Sequence, residues 1–238
     1  LGQTMHLVQD AAAIACCEEL AQEYLARKGY TEVFTPVTSL HWMGAWPYDE
    51  AQAAALVALG GTTAAIGGAV SVTTKTVHEA HGIPTPAANA DALRITRMAI
   101  YLARGLRLDG LPAYEREREL IRAEVHALVD RALEMGDGDA ALGTVRAFEA
   151  GALDVPWSPN RQVKSRVMPA RDAEGYLRIL DPASLPLPPA VMAVHEEGLR
   201  REARRLGQPF DHELAVQSVY EHSEPLSRLM PDTWFPRA

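Results

Sequence analysis

Two rhythms of apolar and polar positions run through the first 135 residues, and each change of rhythm marks an element. Leu7, Ala11, Ile14, Ala21 and Leu25 recur at helical intervals and predict a helix from about Thr4 to Lys28. It ends Arg27-Lys28-Gly29, where basic side chains meet the negative end of the dipole and glycine supplies the left-handed cap. Thr31 to Ser39 predicts a buried strand, and the loop Leu40-His-Trp-Met-Gly-Ala-Trp-Pro47 follows it. Asp49 to about Ala65 is an alanine-rich helix whose small side chains permit close packing. Ala69 to Thr74 is β-branched without alternation, the pattern of a strand covered on both faces in a parallel sheet. Thr85-Pro86 then restarts a helix, with threonine as N-cap and proline in the first turn, that runs to Arg104 and closes at Gly105. Arg116 to Met135 is amphipathic, with Ile121, Val125, Leu128 and Ala132 on one stripe, and Gly136 ends it.

Strand and helix alternating in this way predict a right-handed β/α wind, with the stub Leu1-Gly-Gln-Thr4 as a third strand. Beyond Gly136 the pattern changes. A mixed stretch, Leu142 to Gly151, leads into the proline-rich Asp154-Val-Pro-Trp-Ser-Pro159. Val167 to Leu180 predicts a hairpin around Ala173-Glu-Gly175, and Ala190 to Leu206 a last helix. Its Glu196/Arg200 and Glu197/Arg201 pairs read as a solvated face. A complete eight-stranded barrel takes about 250 residues, yet only two strands and a stub precede Gly105. The expected class is therefore α/β: about half of a TIM-type β/α barrel over residues 1–151, then an α+β extension over 152–238. An open parallel edge of two or three strands predicts a chain that associates with a completing partner or its own copy.

Composition narrows the function classes. The chain has 238 residues, 47% of them apolar, and a formal charge of −8. That balance argues against a nucleic-acid binder. No apolar run reaches the roughly 18 residues of a membrane span, and no basic-then-apolar leader opens the chain. The two cysteines, Cys16 and Cys17, are neighbours in a helical pattern and read as reduced residues, consistent with a cytoplasmic protein.

The chemistry concentrates at Lys75-Thr-Val-His-Glu-Ala-His-Gly-Ile-Pro84. Lys75 and Glu79 lie four apart just past the carboxyl end of a predicted strand, the location of active sites in β/α barrels. A random pair at that spacing is an exposed ion pair of little energy. At a barrel mouth the same two groups suit a hydroxyl-rich ligand, glutamate accepting from a diol and lysine donating to ring nitrogens or oxygens. His78 and His81 are three apart with no third ligand evident, so no metal site is expected. Trp42 reads as core, while Trp46, beside Pro47, is a candidate face for a flat ligand. Arg146 reads as a structural partner of Glu149. No Ser/His/Asp order, phosphate loop or paired cysteine motif is present.

These segments carry a resemblance. Lys75 to Asn89, with Trp42-Met-Gly-Ala-Trp-Pro-Tyr-Asp-Glu-Ala51, resembles the large (epsilon) subunit of adenosylcobalamin-dependent glutamate mutase, also called methylaspartate mutase. The likeness recurs at Gly136-Asp-Gly-Asp139, at Gly143-Thr-Val-Arg-Ala-Phe-Glu-Ala-Gly151 with Asp154-Val-Pro, and at Val167-Met-Pro-Ala-Arg-Asp172. It implies a TIM barrel holding the adenosyl end of the coenzyme at its mouth, beside a small cobalamin-binding subunit. The resemblance gives Lys75 and Glu79 contacts to the adenosyl group and the catalytic part in this chain. It places Ile83 and an aromatic residue, here Trp46, in the same pocket. That family commonly reads His-Gln-Trp where this chain has Leu40-His41-Trp42. The resemblance begins about halfway along the large subunit, so the arginines that grip substrate carboxylates fall in the half not seen here. The expectation is a component of a mutase that converts L-glutamate to 3-methylaspartate with adenosylcobalamin. Its partners would be an N-terminal barrel-half chain and the small subunit. The alternative is a non-catalytic interaction or scaffold protein derived from the mutase barrel.

Overall fold

A computed structural model describes residues 1–218. Among the described residues ten elements follow in order, and residues 212–218 add a further helical stretch. The first five are α1 (Leu7–Arg27), β1 (Thr38–Leu40), α2 (Glu50–Gly67), β2 (Ser71–Thr73) and α3 (Pro86–Ala103). Then come α4 (Pro112–Met135), α5 (Ala140–Ala150), β3 (Met168–Arg171), β4 (Leu177–Asp181) and α6 (Pro189–Leu206). The architecture is mixed α/β, as expected. The described residues divide into two compact units, 1–118 and 119–218. The division falls inside α4. Glu117 accepts from Gln9 Nε2 at 3.2 Å in the first unit, and Glu124 meets His195 of α6 at 2.8 Å in the second.

Capping chemistry sets the helix starts of the first unit. Asp49 accepts from the Gln52 amide at 2.9 Å, and Thr85 from the Ala88 amide at 3.1 Å with Pro86 in the first turn. Before α1, the buried Asp10 carboxylate draws the amides of Thr4 and Met5 back onto the helix, at 2.7 and 3.2 Å. α2 then packs closely on both neighbours because of its glycines. A Cβ on Gly61 would lie 2.8 Å from the Thr96 carbonyl of α3, and one on Gly67 2.8 Å from Ile14 of α1.

β1 and β2 are parallel, Thr38 opposite Ser71 and Leu40 opposite Thr73. The predicted third strand is present as a single parallel bridge from Gly2 to Leu40. Both strands are shorter than their patterns predict. Residues 31–36 form no strand, and Val33 and Phe34 stand 41% and 75% exposed. The two faces of this small sheet differ. Ser39 and His41 are fully buried, whereas Thr38, Ser71 and Thr73 are exposed. The β-branched run at Ala69–Thr74 predicts cover on both faces, and among the described residues only one face has it.

In the second unit, Gly136 and Gly143 let α4 and α5 meet backbone to backbone, since a Cβ on Gly143 would lie 2.1 Å from the Ala132 carbonyl. The mixed stretch from Leu142 is thus α5, capped by Asp139, which accepts from the Leu142 amide at 3.0 Å, and closed by left-handed Gly151. β3 and β4 form the expected antiparallel hairpin. Its tip is organised by buried Asp172, which accepts from the Glu174 and Tyr176 amides and from Arg178 Nε at 2.9 Å. Ala170, Leu199, Ala203 and Leu214 make the core beneath. Ahead of the hairpin, Asp154 collects the amides of Val155, Ser165, Arg166 and Val167. Burial opposes ionisation there, but those four donors hold the carboxyl below its ordinary value. Arg146 donates to the Met135 carbonyl at 2.8 Å and lies 3.5 Å from the Asp137 carboxylate, so it is structural, with these rather than Glu149 as the partners seen.

Candidate functional site

The carboxyl ends of the parallel strands carry the densest polar chemistry of the first unit. β2 ends at Thr73, and Lys75 follows two residues later, on the register of Ser71 and Thr73 and thus of the bare face. The chain then turns. The buried Thr76 accepts from the His78 amide through its hydroxyl at 3.1 Å and from the Glu79 amide through its carbonyl at 3.2 Å. That turn brings the Glu79 carboxylate back onto the Lys75 ammonium, and the two form an ion pair. Their side chains are 27% and 30% exposed, so the pair is half-shielded yet reachable from solvent.

On the bare face, at the opposite, amino end of the two strands, Thr38 Oγ1 and Ser71 Oγ lie 2.7 Å apart. Beneath it, His41 is completely buried, its Nδ1 accepting from the Lys75 amide at 3.3 Å. Desolvation lowers its pKa to about 4, so the ring is neutral at physiological pH. No property of the sequence pattern singles out His41 for this place; only its position just past a strand hints at it.

The histidines of the turn go elsewhere. His78 Nε2 lies 3.3 Å from Glu50, and the His81 ring contacts the Tyr48 carbonyl at 3.0 Å. No group of three metal-ligating side chains is present among the described residues.

The loop after β1 is built on itself. Trp42 Nε1 donates to the Ala45 carbonyl at 3.0 Å and Trp46 Nε1 to the Trp42 carbonyl at 3.1 Å, while Gly44 leaves room for the Trp42 ring. Trp46 is 7% exposed and packs with Ala53, Val57 and Ala92, whereas Trp42 is half-buried at the edge of that cluster. Trp46 is thus a core residue of this unit, its indole N–H satisfied by the Trp42 carbonyl, and Trp42 packs against the same cluster. Ile83, by contrast, is 97% exposed. Of the four candidate residues, the fold joins Lys75 to Glu79, sets Ile83 out in solvent and buries Trp46.

A groove of about 340 Å³ lies apart from this site, between β2 and α3. Val70, Val72 and Thr74 form one wall and Leu93, Arg97 and Ile100 the other. It runs along the side of β2 that has no strand partner among the described residues. Outside it, Met98, Tyr101 and Leu102 of α3 are 57–71% exposed. No helix among the described residues is long and apolar enough to cross a membrane.

Comparison with known proteins bears on the whole chain. The sequence profile of the methylaspartate mutase E chain matches residues 1–227. The glutamate mutase epsilon subunit of Yersinia enterocolitica is 39% identical over 229 residues, covering 95% of this chain and 48% of that protein. The epsilon subunit of Desulfitobacterium hafniense is 40% identical over 220 residues, 92% of this chain and 45% of its own. That of Escherichia coli O157:H7 is 38% identical over 229 residues. The chain spans about half the length of these relatives.

Proposed function

This chain belongs to the methylaspartate mutase E chain family, and we propose that it is the adenosyl-holding half of a glutamate-mutase-type β/α barrel, active with a completing chain. The observation that carries the reading is the Lys75–Glu79 ion pair, held just past the carboxyl end of a parallel strand on a face with no cover among the described residues. Parallel sheets are covered on both faces, and barrel strands are paired on both edges. A polar bare face, an unpartnered strand edge and the apolar exposed side of α3 are three surfaces a second barrel half would occupy.

The site suits an adenosyl group. The Glu79 carboxylate accepts from vicinal ribose hydroxyls, and the Lys75 ammonium donates to ring nitrogens or ether oxygens. Their mutual ion pair holds the two long side chains in place until a ligand shares them. Ile83, standing out from the turn, adds apolar cover, and Trp46 supports the loop from below. Adenosylcobalamin, when bound, supplies radical chemistry by homolysis of its cobalt–carbon bond. This chain orients the adenosyl end and shields it from water. Glutamate and its rearranged product 3-methylaspartate are the proposed substrate pair, with the carboxylate-gripping groups on the completing chain. The small corrin-binding subunit is the other proposed partner, in a cytoplasmic assembly.

The test is reconstitution: this chain, a candidate N-terminal half, a small cobalamin-binding subunit and adenosylcobalamin, with L-glutamate added last. The reading expects co-elution and a glutamate-dependent change in the coenzyme spectrum. Co-elution without coenzyme binding would favour a scaffold.

A further inference from the structure

In a parallel ladder, a residue that donates its amide to carbonyl j of the neighbouring strand receives amide j+2 on its own carbonyl. The mouth of this sheet departs from that rule twice in the same way. The Gln3 amide donates to the Leu40 carbonyl at 3.1 Å, but the Trp42 amide goes to Gln3 Oε1, also at 3.1 Å. The His41 amide donates to the Thr73 carbonyl at 3.3 Å, but the Lys75 amide goes to His41 Nδ1, at 3.3 Å. At consecutive strand ends a side chain replaces the backbone acceptor. Both side chains are enclosed, Gln3 at 9% and His41 at 0% exposure.

We propose that Gln3 and His41 are side-chain rungs that extend the ladder past its strands, and that His41 is thereby the positioning residue of the Lys75–Glu79 pair. A buried amide must be paired. A side-chain acceptor meets that need while the backbone leaves the sheet, so the strands part at the mouth without an orphaned backbone N–H, although Gln3 Nε2 and His41 Nε2 are themselves buried with no partner. His41 is itself fixed from three sides: its amide is on Thr73, its Nδ1 on Lys75, and its ring lies against Gly60 of α2, where a Cβ would come within 2.4 Å of Cδ2. Accepting at Nδ1 requires a neutral ring with its proton on Nε2. The Thr76 turn that returns Glu79 to Lys75 thus starts from a backbone point set by His41. The coenzyme side of this inference rests on the function proposed above; the rung itself does not.

Two substitutions in the full chain separate an acceptor from mere packing. Asn in His41→Asn keeps an oxygen at the Nδ1 position, while Leu in His41→Leu fills similar space without one. Native-state amide exchange is read at Lys75, with the α2 amides as internal reference. The Leu variant is expected to speed exchange at Lys75 about tenfold, and the Asn variant to stay within about twofold of wild type. Unchanged protection in the Leu variant, or equal loss in both, overturns the rung. Should the Leu variant fail to fold, Gln3→Met poses the same question at the Trp42 amide, with the same two outcomes. In the reconstituted complex, His41→Leu is expected to raise the Kd for adenosylcobalamin about tenfold, His41→Asn to restore it, and the KM for glutamate to stay put. Faster exchange with unaltered coenzyme affinity overturns the positioning role. A wild-type complex that binds no adenosylcobalamin overturns the proposed function instead, and the exchange result stands alone.

Discussion

Replacing Gly60 with alanine sets two physical terms against each other. In an open helix interior the change gains about 1 kcal/mol, because glycine gives up more backbone entropy on folding. Gly60 is buried mid-helix in α2, however, and its new methyl would lie 2.4 Å from His41 Cδ2, 2.5 Å from Nε2 and 2.8 Å from Cγ. These are ring atoms of a fully buried residue, not the free end of a flexible chain. Overpacking of that kind costs about 1–3 kcal/mol. A ring pushed aside would also leave the Lys75 amide without its acceptor, at about 1–3 kcal/mol more. The clash wins, and a net destabilisation of about 3 kcal/mol is expected.

Urea unfolding followed by tryptophan fluorescence reads this as a lower midpoint at unchanged slope. Gly105→Ala is the control, since nothing lies within 4 Å of its added Cβ; it should stay within about 0.5 kcal/mol of wild type. The double variant Gly60→Ala/His41→Asn should recover much of the loss, because the smaller side chain vacates the clashing space. A Gly60→Ala protein as stable as wild type would refute the close-packed, immobile His41 on which this reasoning rests.

Glu79→Gln keeps the shape of the site and should weaken coenzyme binding by roughly 1–2 kcal/mol through loss of charge-assisted bonds, with the fold intact by circular dichroism; a loss of equal size in His78→Ala would reassign the roles. Lys75→Arg should retain part of the activity of the assembled enzyme and Lys75→Met little, and borohydride trapping of an adduct at Lys75 would refute a purely electrostatic part. His41 also carries a pH dependence. Its folded pKa, about 4, lies below the ordinary 6.5, so the unfolded chain binds the extra proton between those values, and stability falls as pH drops through that window. Against His41→Asn as reference, the full effect is about 3 kcal/mol by pH 4, read as the difference between the two urea-midpoint profiles; parallel profiles would mean that the ring is solvated.

Helices were the legible part of this chain, because their ends carry local chemistry. Asp49, Thr85-Pro86 and Gly136 each mark a boundary with a cap that works on its own. α5 was as well signposted, by Asp139 and Gly151, but its start so soon after Gly136 hid it. Strand lengths were not legible. A parallel strand is defined by its neighbours, and Val33 and Phe34 have the side chains of a buried strand but no partner among the described residues. Lys75 and Glu79 were legible as a pair because four-residue spacing and a preceding strand fix both. The deep burial of Trp46 was not, since it depends on packing against Ala53, Val57 and Ala92 of other elements.

The mismatch between strand pattern and observed cover is itself informative about what the chain is shaped to meet. Ala69–Thr74 has the β-branched run of a strand enclosed on both sides, yet Ser71 and Thr73 face outward uncovered, and α3 turns Leu93, Met98, Tyr101 and Leu102 to solvent. A surface helix normally places charge where those four stand. Ion pairs do occupy the outer side of α6, where Glu196–Arg200 and Glu197–Arg201 lie exposed. The outer side of α6 thus follows the ordinary rule for a solvated helix and α3 breaks it. The run of four on α3 lies beside the unpaired edge of β2. An isolated unit would gain nothing from apolar residues there, whereas a unit closed by further strands and helices would bury them at about 25 cal/mol per Å². Deleting that apolar surface, with Leu93→Gln and Leu102→Gln together, should therefore leave the folding of this chain unchanged and abolish its co-elution with a completing half.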